Sequence, residues 1–182
     1  MKKLRDPEEP VQRLFSRAGE LRSRLGPVLY QLPRQMPKNL ERLAAFLQVL
    51  PRRIRHTLEF RHPSWYDEDV LRLLRRHHVA LCLHDMPDST PPRVVTARFV
   101  YVRFHGPNGR YAGAYSHSAL NSWAQWLVST ARPACVYFNN DVGGQAPRDA
   151  AVLASLVRTI SAAGPGSSQG ESTRPTADRR QR

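Results

Sequence analysis

The chain has 182 residues, a length that suits one domain plus a tail. Apolar residues make up 41% and charged residues 24%, so a buried core is within reach and a wholly disordered chain is excluded. Two cysteines are too few for a disulfide framework, while a formal net charge of +13 turns attention to anionic partners.

No apolar run approaches the roughly 20 residues that span a bilayer, so no membrane partner is expected. Met1-Lys2-Lys3 leads into charged residues with no apolar stretch, which is not a secretory signal, and the expected location is cytoplasmic. Cys82 and Cys135 lie inside apolar runs and read as small buried hydrophobes. The positive charge invites a nucleic-acid reading, yet its distribution argues for a solvated surface first. Arg22, Arg24, Arg42, Arg52, Arg53, Arg72, Arg75 and Arg76 are spread over several helices, with no long basic run and no recognition motif.

Periodicity divides the chain into short apolar runs alternating with longer amphipathic ones. Leu14, Phe15, Ala18, Leu21 and Leu25 recur at helical spacing until Gly26-Pro27 stops them. Residues 28–32 form a short apolar strand closed by Pro33, and a second helix is predicted over 38–50, stopped by Pro51. The pattern then repeats. A strand at 56–60 is followed by the turn Arg61-His62-Pro63-Ser64 and a helix over 67–77. A third strand at 79–83 ends at His84-Asp85, and a proline-rich link, 86–92, takes the place of the next helix. A fourth strand at 99–104 ends at His105-Gly106. A polar loop carrying Gly109, Tyr111 and Tyr115 leads to a helix near 118–130. A fifth strand at 134–138 ends at Asn139-Asn140-Asp141, and a last helix covers about 147–162.

Strands alternating with helices in this way predict an α/β fold with a parallel sheet. The domain is expected over 1–163. The segment 164–182 is rich in Gly, Ser, Pro and Arg and holds no apolar residue larger than alanine, so it is expected to be disordered. No Gly-rich phosphate loop follows any strand. Val142-Gly143-Gly144 lacks the spacing, so a doubly wound nucleotide fold is weakly supported and part of an eight-fold barrel is the other candidate.

The chemistry gathers at the carboxyl ends of the strands. They carry Gln31; Glu59, Arg61 and His62; His84 and Asp85; Arg103 and His105; and Asn139, Asn140 and Asp141. In parallel α/β folds these ends converge on one face, where binding sites are built. Glu59 and Arg103 sit between apolar neighbours inside strands, where a charge is expensive unless paired. They either face a shared pocket, form a structural ion pair or point to solvent at an unpaired sheet edge. Arg61 and Arg103 are the anion contacts for a small polar or anionic ligand, and Glu59, His62, His105 and Asp141 the acid–base candidates. His84, Asp85, His105 and Asp141 are types that bind a divalent metal or transfer protons, but no compact metal-ligand motif is present, so a metal site would need separate strand ends to converge and the cofactor stays open; no activated-serine motif is present. His56, His77, His78 and His117 read as structural or surface residues, and Trp123 and Trp126 as helix packing.

Four segments together resemble the YecE-like family, also called domain of unknown function 72. They are Gly26-Pro27-Val28-Leu29-Tyr30-Gln31-Leu32-Pro33, Glu59-Phe60-Arg61-His62-Pro63-Ser64-Trp65, Tyr101-Val102-Arg103-Phe104-His105-Gly106 and Tyr137-Phe138-Asn139-Asn140-Asp141. The resemblance spans roughly residues 5 to 160 and implies a TIM-type barrel. It places Glu59, Arg61, His62, Trp65, Arg103, His105, Asn139, Asn140 and Asp141 on the barrel's carboxyl-terminal face, without implying a reaction. Family members are also expected to have a Gly-Thr-Ser-Gly-Trp-like first strand and two further strand–helix units that find no match here. The resemblance therefore implies a partial (β/α) barrel of about five parallel strands. The rest would be lost by truncation, hidden by a misassigned start or supplied by another chain, with self-association through exposed sheet edges as one outcome.

Overall fold

The computed structural model describes residues 4–87, 89–109 and 111–163. The tail set apart by the sequence, 164–182, lies outside the described residues. Five strands, β1 (Val28–Gln31), β2 (His56–Glu59), β3 (Ala80–Asp85), β4 (Val100–Phe104) and β5 (Ala134–Phe138), are joined by α2 (Leu40–Gln48), α3 (Glu68–His77) and α4 (His117–Ser129). Helix α1 (Glu8–Ala18) precedes the sheet and α5 (Gln145–Ala163) follows it. The link from β3 to β4 contains no helix, as the proline-rich composition of 86–92 predicts.

Every pairing is parallel and the spatial order is the chain order, β1-β2-β3-β4-β5. A doubly wound sheet would reverse its order partway and cover both faces with helices. Here the order never reverses, and the natural twist curls the sheet into a half-barrel with its helices outside.

Side chains alternate across each strand and sort into two environments. Tyr30, Leu58, Phe60, Leu81, Leu83, Val102 and Phe104 face the helices and join Leu43, Phe46, Val70, Leu74, Leu120 and Trp123 in the main core. Ala80, Cys82, Phe99 and Tyr101 form a smaller cluster on the concave face, with Leu29, Ala97 and Cys135 against it.

The helices start where side chains can accept their free N–H groups. Asn39 Oδ1 accepts from Arg42 N at 2.8 Å, Asp67 Oδ1 from Asp69 N at 2.9 Å, and Ser116 Oγ from Ala119 N at 3.1 Å. Helix α3 carries Glu68 and Asp69 in its first turn and Arg75, Arg76 and His77 in its last, which complements its dipole. One expectation differs. The apolar spacing predicts a single helix through Leu25, but α1 ends at Ala18 and a 3₁₀ segment, Gly19–Arg24, follows with Arg22 at φ 48°. Leu21 is consequently exposed, so the periodicity there does not correspond to a buried face.

Trp65 locks the β2–α3 connection. Its ring stacks on Phe60 at a centroid distance of 4.7 Å, and its Nε1 donates to the Met36 carbonyl at 2.7 Å. Trp65→Phe leaves that carbonyl without its donor and opens a small void. The expected loss is about 2–3 kcal/mol, measured as a lower urea midpoint at unchanged slope.

Candidate functional site

Glu59 ends β2 with its side chain directed to the concave face, and no part of it is exposed. An isolated carboxylate there would cost several kcal/mol. Two arginines answer it. Arg103 Nη1 lies 2.6 Å from Glu59 Oε2, and Arg61 Nη2 contacts Oε1. Register brings them together. Gln31 pairs with Glu59 across β1 and β2, and His84 pairs with Arg103 across β3 and β4. Arg103 Nη1 also donates to Gln31 Oε1 at 3.2 Å, and the Cys82 thiol to Glu59 Oε2 at 3.5 Å.

Burial alone would raise the Glu59 pKa, but the guanidinium groups of Arg61 and Arg103 outweigh it and hold the carboxyl below its ordinary value. Burial, reinforced by the adjacent carboxylate, pushes the Cys82 thiol well up, so it stays protonated and is a poor nucleophile. Two guanidinium charges against one carboxylate leave the cluster with one net positive charge.

Two histidines border it. Burial first, and then the neighbouring arginines, pull both His84 and His105 down to about 4, so both rings are neutral near pH 7. Arg61 Nη2 lies 3.1 Å from His105 Nε2. A guanidinium can only donate, so Nε2 accepts and the ring proton sits on Nδ1. His84 Nε2 pairs with Ser89 Oγ at 2.8 Å, and the two rings meet edge to face at 6.5 Å. His84 Nδ1 and Arg61 Nε are buried and have no hydrogen-bond partner among the described residues.

Above the cluster opens a cavity of about 850 Å³, lined by Gln31 at the end of β1, by Pro33, Arg34 and Gln35 from the β1–α2 loop, by Arg61, Met86 and Pro87, and by His105, Asn108 and Tyr111 from the β4–α4 loop. The β4–α4 loop is tightly folded. Gly106 has φ 100°, and the Ala112 backbone occupies the space a Cβ would need. The loop is braced from α5: Asp149 Oδ2 accepts from Tyr115 N at 3.1 Å and from Asn140 Nδ2 at 2.7 Å, while Asn140 Nδ2 also donates to the Gly113 carbonyl at 2.8 Å.

The structure thus brings Gln31, Glu59, Arg61, His84, Arg103 and His105 together. The other candidates stand elsewhere. Asp85, one residue beyond His84, faces the helices, where its Oδ1 accepts from Tyr115 at 3.2 Å and its Oδ2 from Trp123 Nε1 at 3.2 Å. Trp65 is in the outer core. His62 Nδ1 accepts from Ser64 N at 3.2 Å and caps a 3₁₀ turn. Asn140 is a buried loop brace, and half-buried Asn139 uses its backbone N–H on the Phe104 carbonyl. Asp141 is exposed before the 3₁₀ turn Val142–Gly144. Met86 and Tyr111 are additions that the strand-end argument passes over, because they come from loops. The Asn108-Gly109 turn was the available signal, since it folds the loop back over His105. Among the described residues, no three His, Cys, Asp or Glu side chains are grouped to hold a metal ion. No helix there is long and apolar enough to cross a membrane.

The comparisons agree with this architecture. The model of the family described as "Protein of unknown function DUF72" matches residues 1–172. No curated protein matches the chain. The crystal structure of a DUF72 family protein from Thermotoga maritima is 26% identical with a TM-score of 0.75, covering 88% of this chain and 68% of that one. Two crystal structures of a DUF72 family protein from Enterococcus faecalis are each 20% identical, with TM-scores of 0.72 and 0.69, and show likeness of fold alone. They cover 85% and 83% of this chain, and 67% and 69% of those chains.

The buried groups fix the sign of the acid response. His84 and His105 take up protons in the unfolded chain near 6.5 but in the folded one only near 4, so stability falls as pH drops through that window. His56, lowered chiefly by burial, acts in the same direction. Glu59, with its folded pKa depressed, adds a further loss below its ordinary value of 4.5. Urea unfolding at pH 7 and pH 5 is expected to differ by about 1–2 kcal/mol for each of His84 and His105, with the protein weaker at pH 5. Equal midpoints would mean that these rings are not buried as described.

Proposed function

This chain belongs to the DUF72 family, and we propose that the carboxyl-terminal rim of its half-barrel binds a small anion through Arg61 and Arg103. The observation that carries this reading is Glu59, fully buried between two guanidinium groups that are each still slightly exposed, at 12% for the Arg61 side chain and 16% for Arg103. The carboxylate takes one donor edge from each arginine and fixes both planes. Arg61 Nη1 rests on the Met86 thioether, a weak acceptor that an anion would displace, while Arg61 Nε is buried without a partner among the described residues. A guanidinium fork held in this way recognises a carboxylate or phosphate oxygen pair at low entropic cost.

In this reading Glu59 is a counter-ion, since an ionised carboxylate held by two arginines is poorly placed to pass a proton near pH 7. His105 is the better candidate for contact with the ligand, being neutral and hydrogen-bonded to Arg61. The cavity of about 850 Å³ suits a small molecule. Asp85, Trp65 and Asn140 hold the strands and loops that shape it.

Thermal melts with added phosphate at constant ionic strength test the proposal. Phosphate at 100-fold over its dissociation constant is expected to raise the wild-type Tm by roughly 5–10 °C. Arg61→Met should abolish most of that rise. Asp85→Ala should lower the starting Tm through the lost Trp123 and Tyr115 bonds yet keep the phosphate increment. A wild-type Tm indifferent to phosphate, sulfate and acetate would overturn the reading.

A further inference from the structure

Tyr111 is out of place by the usual rules. It lies at the mouth of the cavity with 46% of its surface exposed. Its φ is 62°, a conformation in which a bulky aromatic is a genuine outlier. The backbone is held there at both ends: Tyr111 N–H donates to the His105 carbonyl at 2.8 Å, and its carbonyl accepts from Val142 N at 3.2 Å. The Tyr111 ring consequently sits 5.9 Å from the His105 imidazole, tilted by 55°. Leu14, Leu21, Tyr137, Val142 and Val152 are the other exposed large hydrophobic residues among the described residues, and none lines this cavity.

Strain of this kind persists where surrounding bonds impose it, and it concentrates at ligand sites. Glycine or asparagine would fill such a turn without strain. The ring is also unspent apolar surface beside a cationic floor, with one imidazole between it and Arg61. We infer that Tyr111 is a stacking surface, and that the ligand class is a flat aromatic or heteroaromatic ring bearing a phosphate or carboxylate close to it. The inference rests on the anion reading of the same rim. The anionic group meets Arg61, the ring system lies against Tyr111, and His105 stands between the two. An aliphatic anion of equal size would satisfy only the first contact.

Titration calorimetry on the full 182-residue chain with inorganic phosphate, phenyl phosphate and cyclohexyl phosphate, at fixed ionic strength, separates the two ideas. The last two probes share charge and approximate size but differ in their π-face. Phenyl phosphate is expected to bind about 5- to 10-fold more tightly than cyclohexyl phosphate. Tyr111→Phe should keep that preference. Tyr111→Asn, whose side chain tolerates the left-handed backbone, should remove it, so that the two esters bind alike. Equal affinity for the two esters, or a preference that survives Tyr111→Asn, overturns the stacking role and leaves the anion site standing. If none of the three phosphates binds, the anion reading fails and this inference fails with it.

Discussion

The arrangement depends on one buried carboxylate. Glu59 is removed from water on the concave face, and burying it unpaired would cost more than most single contacts in the core return. The half-barrel supplies two arginines, Arg61 just past β2 and Arg103 within β4, and the Cys82 thiol of the intervening β3 also donates to the carboxylate, so that one carboxylate ties three strands together. Apolar residues of similar volume would fill that space without the desolvation penalty. A charged triad here is therefore better explained by what it holds ready at the rim than by stability.

The rest of the site follows from that choice. Two cations around one anion depress the basicity of His84 and His105 beyond what burial alone does, and the rings stay neutral. A neutral His105 accepts from Arg61, which helps hold the second guanidinium away from bulk water. The brace from Asp149 and Asn140 belongs to the same logic, since it keeps the β4–α4 loop folded over the cationic floor. The outer, helix-facing core has the complementary task of keeping the strand ends in register, and Asp85 serves that side through Tyr115 and Trp123.

Much of this was legible in the sequence. The strand–helix alternation gave the five parallel strands, and the resemblance pointed to the family and to a partial barrel. Glu59 and Arg103, charges flanked by apolar residues, stood out because such positions demand partners. The sequence left open whether they face a pocket or pair with each other; in the structure they pair, and it is Gln31, Arg61 and His105 of the cluster that line the cavity. Period-two alternation separates His84 from Asp85: adjacent residues on one strand point to opposite faces, so only one of them reaches the concave side. That was readable in principle, but β3 continues through both residues, and placing them after the strand end concealed it. Trp65 sits beside Glu59 and Arg61 in sequence and away from them in space, because a 3₁₀ turn redirects it, and Asn140 follows β5, which contributes nothing to the cluster. For Tyr111 the Asn108-Gly109 turn signals only that the loop folds back, while its place depends on a left-handed backbone and on a hydrogen bond from Val142 that no local pattern encodes.

The central claim is that Glu59 and Arg103 act as one unit in the folded protein. A double-mutant cycle of Glu59→Gln and Arg103→Gln, with folding free energies from urea unfolding at pH 7, measures it directly. Each single change leaves a buried charge short of its partner, so each should be costly and the pair much less than additive. The account predicts a coupling of at least about 1.5 kcal/mol. Additivity within about 0.5 kcal/mol would mean that the two side chains contribute independently, and the organising role assigned to Glu59 would be wrong.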